Sequence, residues 1–279
     1  MRSRFNISNY SNLVQRVITA IVGAVIIIGS LIYSEWAYFV VFGTILGFTQ
    51  MEFYKLSGLD GMLPLKSFGT FIGVMIFMLT FLEEMKLIPI QYYFLVFPLV
   101  SMIFFIKLYR KSDKKPFTGI AYTILGIFYV AVPFSLLTVA AFAVDKTFHY
   151  EIIVGSLLIL WASDSGAYFA GTRFGKTKLF ERVSPKKSWE GSLGGAFTAL
   201  AVTYLISRHF LVLEPWQWFS IAAIIIIAGT YGDLIESLFK RSIDIKDSGR
   251  GLPGHGGFMD RFDGLLLSTP FIVAFLKIF

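Results

Sequence analysis

The chain is predicted to fold as an all-α, polytopic integral membrane protein with about nine transmembrane helices, and three observations predict it. Of its 279 residues, 56% are hydrophobic and only 15% are charged, whereas about a quarter of a soluble domain is charged. Apolar stretches of roughly 17 to 25 residues, enough to cross a bilayer as helix, can be laid along almost the whole length. The Lys and Arg residues gather in the short segments between those stretches.

The spans fall, in order, at about 13–33, 36–54, 67–82, 88–108, 118–144, 149–172, 188–207, 217–239 and 260–278. Arg2 and Arg4 precede the first, which runs from Leu13 to Tyr33. It is too long for a signal-peptide core and lacks a small-residue cleavage site, so it is expected to be a retained helix. The third span is short and the fifth long. Pro133 predicts a kink or break in the fifth, and Pro98 and Pro270 predict bends in the fourth and ninth, so a count of eight or ten also fits. Gly23, Gly43 and Gly47 in the amino-terminal spans predict close helix packing and a groove for lipid tails.

No internal repeat or flexible linker divides the chain, which reads as a single membrane domain, 1–279. Only charge density shifts, from plain amino-terminal helices at 1–148 to a site-rich portion with cytoplasmic loops at 149–279.

Basic residues set the orientation. The amino terminus and the segments after the second, fourth, sixth and eighth spans hold 21 of the 25 Lys and Arg residues. The opposite side holds four, Lys86, Lys146, Arg208 and Lys277. The positive-inside rule predicts a cytoplasmic amino terminus, an outer carboxyl terminus, and loops 173–187 and 240–259 facing the compartment that contains nucleotide triphosphates. There is no cysteine, which excludes disulfides, thiolate catalysis and Cys-based metal sites. The net charge of +7 is spread over inter-helix loops rather than one soluble face. That points to anionic lipid and nucleotide phosphate and away from nucleic acid.

Chemistry concentrates in Ser237 to Gly264, SLFKRSIDIKDSGRGLPGHGGFMDRFDG, with four aspartates, five Lys or Arg, one His and six glycines between two apolar runs. Glycines let backbone N–H groups approach a polyphosphate, Lys and Arg neutralise it, and carboxylates hold its divalent cation. Asp233 lies within the preceding apolar run, with Glu236, Ser237 and Lys240 at i+3, i+4 and i+7, one helical stripe. Glu236 and Lys240 suit an ion pair; Asp233 and Lys240, two turns apart, do not. Asp260 and Asp263 open the last span, where acids also cap a helix.

Asp164, in ILWASDSGAYFAG, is an intramembrane acid and so a candidate site residue, unless Ser163, Ser165 or a Tyr hydroxyl satisfies it. Asp164, Asp233, Asp260 and Asp263 together make a candidate carboxylate cage for Mg²⁺, with room for a second cation. In the loop GTRFGKTKLFERVSPKKSWEGSLGG, Ser184-Pro185 suits a helix start. Lys186, Lys187 and Ser188 are placed to reach a triphosphate, or else to hold anionic headgroups. His255 suits a phosphate contact or loop ordering better than a general base, because a phosphate monoester already carries an ionised oxygen near neutral pH. His149 and His209 fall at outer span ends.

Ser237, Lys240-Arg241, Lys246-Asp247, Gly249, Pro253, His255-Gly256-Gly257 and Asp260-Arg261-Phe262-Asp263 match, position by position, the signature of the phosphatidate cytidylyltransferases, also called CDP-diglyceride synthetases. The resemblance extends to Ser184-Pro185-Lys186-Lys187 with Glu190-Gly191 and to the Asp164 segment; it is weak before about residue 161.

It implies CTP and phosphatidate as substrates, CDP-diacylglycerol and pyrophosphate as products, and a bacterial-type plasma membrane with the active site facing the cytoplasm. The implied catalytic residues are Asp233, Asp260, Asp263 and Lys240. The implied substrate-binding residues are Ser184, Lys186, Lys187, Ser188, Ser237, Arg241, Lys246, His255, Gly256, Gly257 and Arg261. Membrane lipid and a second copy of the chain, as a homodimer, are the implied partners. Two other classes stay open: a CTP-dependent kinase of a polyprenol-type lipid, which releases CDP, and a cation transporter, which leaves the glycine-rich loop unexplained.

Overall fold

A computed structural model describes residues 12–61, 63–111, 113–245 and 257–279. It is a bundle of helices: α1 (Asn12–Tyr33), α2 (Glu35–Ser57), α3 (Lys66–Glu84), α4 (Val96–Tyr109), α5 (Pro116–Gly126), α6 (Val132–Ala141), α7 (Tyr150–Phe174), α8 (Trp189–His209), α9 (Pro215–Ile224), α10 (Thr230–Ser242) and α11 (Met259–Ile278). Two pairs run on as single rods through π-helical turns, Ile127–Ala131 between α5 and α6 and Ile225–Gly229 between α9 and α10.

Among the described residues, five stretches are long and apolar enough to cross a membrane: Lys66–Glu84, Ile90–Tyr109, Pro116–Ala141, Tyr150–Phe174 and Pro215–Ser242. Val17–Tyr33 is a shorter apolar helix. Among the remainder, α11 opens on Asp260, Arg261 and Asp263, and α8 carries Glu190 and several small or hydroxyl residues near its start.

Pro133, Pro98 and Pro270 do not end their rods. Pro133 lacks the N–H that would bond to the Tyr129 carbonyl, and the widened turn Ile127–Ala131 absorbs that defect without ending the rod. Pro98 lies in the first turn of α4, where no intrahelical N–H bond is required, and α11 continues through Pro270.

The all-α expectation needs one addition. Between α7 and α8 lies an antiparallel hairpin, β1 (Lys178–Phe180) and β2 (Ser184–Ser188), with Lys178 opposite Ser188 and Phe180 opposite Ser184. Ser184-Pro185 therefore does not start a helix. In a two-stranded ribbon every strand is an edge, so the missing Pro185 donor is tolerated. The helix starts after Ser188, whose Oγ accepts the Gly191 N–H at 3.1 Å.

The glycine expectation also needs correcting. An added Cβ at Gly23 or Gly47 would meet nothing within 4 Å, and at Gly43 only the Phe77 ring, at 3.4 Å. Gly43 thus packs on α3 as expected while Gly23 and Gly47 do not set a close approach, and buried polar side chains also draw α2 to its neighbours. Gln50 Nε2 donates to the Gly69 carbonyl at 3.1 Å, the Tyr54 hydroxyl to the Thr123 carbonyl at 2.7 Å, and the Tyr38 hydroxyl pairs with Thr138 at 2.8 Å.

Lys107, 2% exposed, bonds to both the Leu63 carbonyl and Asp113. It holds the Asp113 carboxyl below its usual pKa range. Because both side chains are buried, Lys107→Met should cost about 3–5 kcal/mol by stranding Asp113. Thermal unfolding in detergent should show a lowered midpoint, recovered in Lys107→Met/Asp113→Leu. An unchanged midpoint in the single variant would contradict this account.

Candidate functional site

The stripe predicted on α10 forms. Ser237 Oγ donates to Asp233 Oδ1 at 3.3 Å, and Lys240 Nζ lies 3.3 Å from Glu236 Oε2, the i,i+4 pair expected from spacing. Alongside, α11 presents Asp260 and Asp263. One carboxylate oxygen from each of Asp233, Glu236 and Asp263 lies within 4.8 Å of the others. Three like charges at that separation repel strongly unless a cation or protons sit among them.

Two glycines permit this approach. A Cβ at Gly232 would lie 2.5 Å from the Asp263 carbonyl oxygen and 2.9 Å from Gly264 Cα. One at Gly264 would lie 3.0 Å from Leu160 Cδ1 and 3.4 Å from the Gly229 carbonyl oxygen. Backbone meets backbone along the α10–α11 seam, so the side chains one step away, Asp233 and Asp263, converge.

Cations close the site from two sides. Lys187, delivered by β2, places Nζ 2.7 Å from Asp233 Oδ2 and 3.3 Å from the Thr230 carbonyl. The hairpin is set on α8 by Glu190, which accepts the Lys176 and Thr177 N–H groups at 3.1 Å. Lys240 lies 2.9 Å from Asp260 Oδ1, and the Gly257 N–H points to Asp260 Oδ2 at 3.4 Å. Asp263 Oδ1 accepts its neighbour's Gly264 N–H at 2.7 Å. Asp164, on α7, is exposed and lies within electrostatic reach of Asp233, Lys187 and Arg261.

The structure thus gathers Asp233, Asp263, Asp260, Lys240, Ser237, Lys187 and Gly257, with Asp164 and Arg261 beside them. Others make contacts of their own. Lys186 is exposed, Ser184 pairs with Phe180 in the hairpin, Ser188 is a helix cap, and Arg241 donates to the Ile245 carbonyl at 3.2 Å. Lys246, His255 and Gly256 lie outside the described residues.

Two assignments shift. Asp260, expected in the cage, is held by Lys240, while Glu236, expected only as an ion-pair partner, joins Asp233 and Asp263. Glu236 is 1% exposed, and its Oε1 has no hydrogen-bond partner among the described residues. Its position three residues after Asp233 carried that signal. Tyr129, on the π-helical turn, had no such signal. Its hydroxyl is buried without a hydrogen-bond partner among the described residues and lies within electrostatic reach of Asp263 and Glu236.

A family model described as the cytidylyltransferase family matches residues 14–279. A protein named phosphatidate cytidylyltransferase from Bacillus subtilis (strain 168) is 37% identical over 156 residues, 51% of this chain and 58% of that protein. One of the same name from Brucella suis biovar 1 (strain 1330) is 39% identical over 164 residues, 58% of this chain and 59% of that protein. These alignments span less than two thirds of those relatives. A third, from Staphylococcus saprophyticus, is 30% identical over 271 residues, 92% of this chain and 96% of that protein.

Proposed function

The chain belongs to the cytidylyltransferase family, and from that premise we propose that it transfers the cytidylyl group of CTP to phosphatidate. The products are CDP-diacylglycerol, which stays in the bilayer, and pyrophosphate. The observation that carries the reading is the convergence of Asp233, Glu236 and Asp263 between two lysines, Lys187 and Lys240.

The residues suit Mg²⁺. The donor set is all oxygen, from three carboxylates, and Glu236 Oε1 is a buried acceptor with no hydrogen-bond partner among the described residues. Asp233, Glu236 and Asp263 would hold the ion, with Asp164 beside them for a second. Bound there, Mg²⁺ supplies charge neutralisation for the triphosphate and the departing pyrophosphate.

The rest is positioning. A phosphatidate phosphate oxygen forms a bond to the α-phosphorus as the bond to the β-phosphate oxygen breaks, and pyrophosphate leaves with that electron pair. The attacking oxygen is already ionised, so no side chain need remove a proton. Lys187, Lys240 and Arg261 offset charge that builds on the leaving group. Seen from the substrates, the cleft must open to both lipid and cytosol, which suits acids placed near one end of α10 and α11.

Purified protein given phosphatidate, Mg²⁺ and CTP labelled at either the α or the γ phosphate tests the reaction. Label from the α position should enter lipid, and label from the γ position should appear in pyrophosphate. CDP with γ label in lipid would replace this reading with the lipid kinase. Cation flux in proteoliposomes without nucleotide would favour the transporter.

The proposal extends to nine crossings of a bacterial-type plasma membrane, with the amino terminus and the site on the cytoplasmic side and two copies associating. Contacts between ends assigned to one side support the layout. Gln217 reaches the Phe279 carbonyl at 3.5 Å on the outer side, and Lys107 bonds to the Leu63 carbonyl on the inner. Since the chain has no cysteine, Thr147→Cys and Gln217→Cys should react with an impermeant thiol reagent on intact cells. Thr177→Cys should react only after lysis. Labelling of Thr177→Cys from outside would defeat the cytosolic site. Cross-linking in native membranes scores the homodimer.

A further inference from the structure

We propose that Glu52 is a positioning residue for the carboxylate site: by accepting the Phe258 N–H it fixes where α11 begins, and so where Asp260 and Asp263 point. This inference rests on the cation-binding part of the reading above. Helix α2 belongs to the plain amino-terminal half, yet one of its faces grips both ends of the segment that joins α10 to α11. Phe53 stacks on Phe239 near the end of α10, with ring centroids 5.2 Å apart and planes 19° apart. Phe48 stacks on Phe258 at 5.2 Å and 16°. Between them, Glu52 Oε2 accepts the Phe258 N–H at 2.9 Å.

Residues 48 and 52 lie one above the other on α2, at i and i+4, and 53 is the next residue round the helix, so one rigid element braces the two helices that carry the acids. A carboxylate is expensive in an apolar helix. The cost here is evident in Glu52 Oε1, which is buried and has no hydrogen-bond partner among the described residues. A carboxylate nevertheless suits the place, because free N–H groups at the start of a helix form the positive end of its dipole. Asp260 follows Phe258 by two residues and Asp263 by five, little more than one turn. A displaced helix start therefore reaches both acids almost undiminished.

Two near-isosteric variants separate reach from charge. Glu52→Gln keeps an acceptor at the same distance without the charge; Glu52→Asp keeps the charge and falls one methylene short. Mn²⁺ affinity, read by electron paramagnetic resonance in detergent, should stay within about threefold of wild type in Glu52→Gln and weaken at least about tenfold in Glu52→Asp, as when an orienting partner of a metal ligand is lost. In Glu52→Asp, kcat should fall while KM for CTP holds, and amide exchange over residues 257–264 should quicken. Wild-type behaviour of Glu52→Asp, or equal impairment of both variants, would overturn the proposal. A wild-type chain that binds Mn²⁺ but makes no CDP-lipid would defeat the assigned reaction and leave this comparison standing. A wild-type chain that binds no Mn²⁺ would overturn both.

Discussion

Replacing Asp263 by Asn should lower CDP-diacylglycerol formation at least about a hundredfold, the scale of loss when a preorganised charge or an orienting group at a metal site is removed. Asn keeps the shape and can still accept the Gly264 N–H that Asp263 Oδ1 accepts at 2.7 Å, so the helix start need not change. Stability should move the other way. Asp233, Glu236 and Asp263 crowd their oxygens within 4.8 Å, and deleting one charge relieves repulsion. Without divalent cation, Asp263→Asn should melt no lower than wild type, a trade of stability for function common at active sites. Added Mg²⁺ should raise the melting point of wild type more than that of the variant. Asp233→Asn should behave alike. Asp260→Asn should lose less, because an amide oxygen can still accept from Lys240. Near-normal turnover in both Asp233→Asn and Asp263→Asn would remove the three-carboxylate site from consideration.

Gly232→Ala should have an effect of similar size without changing any polar side chain. The new Cβ would lie 2.5 Å from the Asp263 carbonyl oxygen, and the obstacle is backbone, which cannot swing aside as a side chain can. Helices α10 and α11 must part, and a displacement of about 1 Å at a reacting site costs on the order of a hundredfold in rate. Gly47→Ala is the control, since nothing lies within 4 Å of that Cβ. Its turnover should match wild type. Equal turnover of Gly232→Ala and Gly47→Ala would show that the seam does not set the acids' spacing.

Much of the site was legible because its signal is local. Asp233, Glu236, Ser237 and Lys240 lie on one stripe by arithmetic alone, and Asp260 and Asp263 flank the start of a helix. The assignment went astray where partners come from distant chain. Spacing gave no reason to tie Lys240 to Asp260, twenty residues on, or Lys187 to Asp233. The hairpin escaped because strands of three and five residues have too little periodicity to register. Glu52 escaped for a different reason. One acid among apolar residues looks like a span boundary until the fold brings Phe258 to it.

The π-helical turn Ile225–Gly229 sits immediately ahead of the helix that carries Asp233 and Glu236. Such a turn accommodates one residue more than an ordinary helical turn, and each residue of helix carries about 100° of rotation. Because the surplus is taken up within the turn, dropping one residue there returns an ordinary helical turn and keeps Asp233 and Glu236 in phase with Asp263, whereas a second deletion, with no surplus left to give up, would swing them out of register while leaving every amino acid of the site in place. In descendants of this chain, the loss of one residue here should therefore be tolerated where the loss of two is not, so that a two-codon deletion is as damaging as loss of a carboxylate.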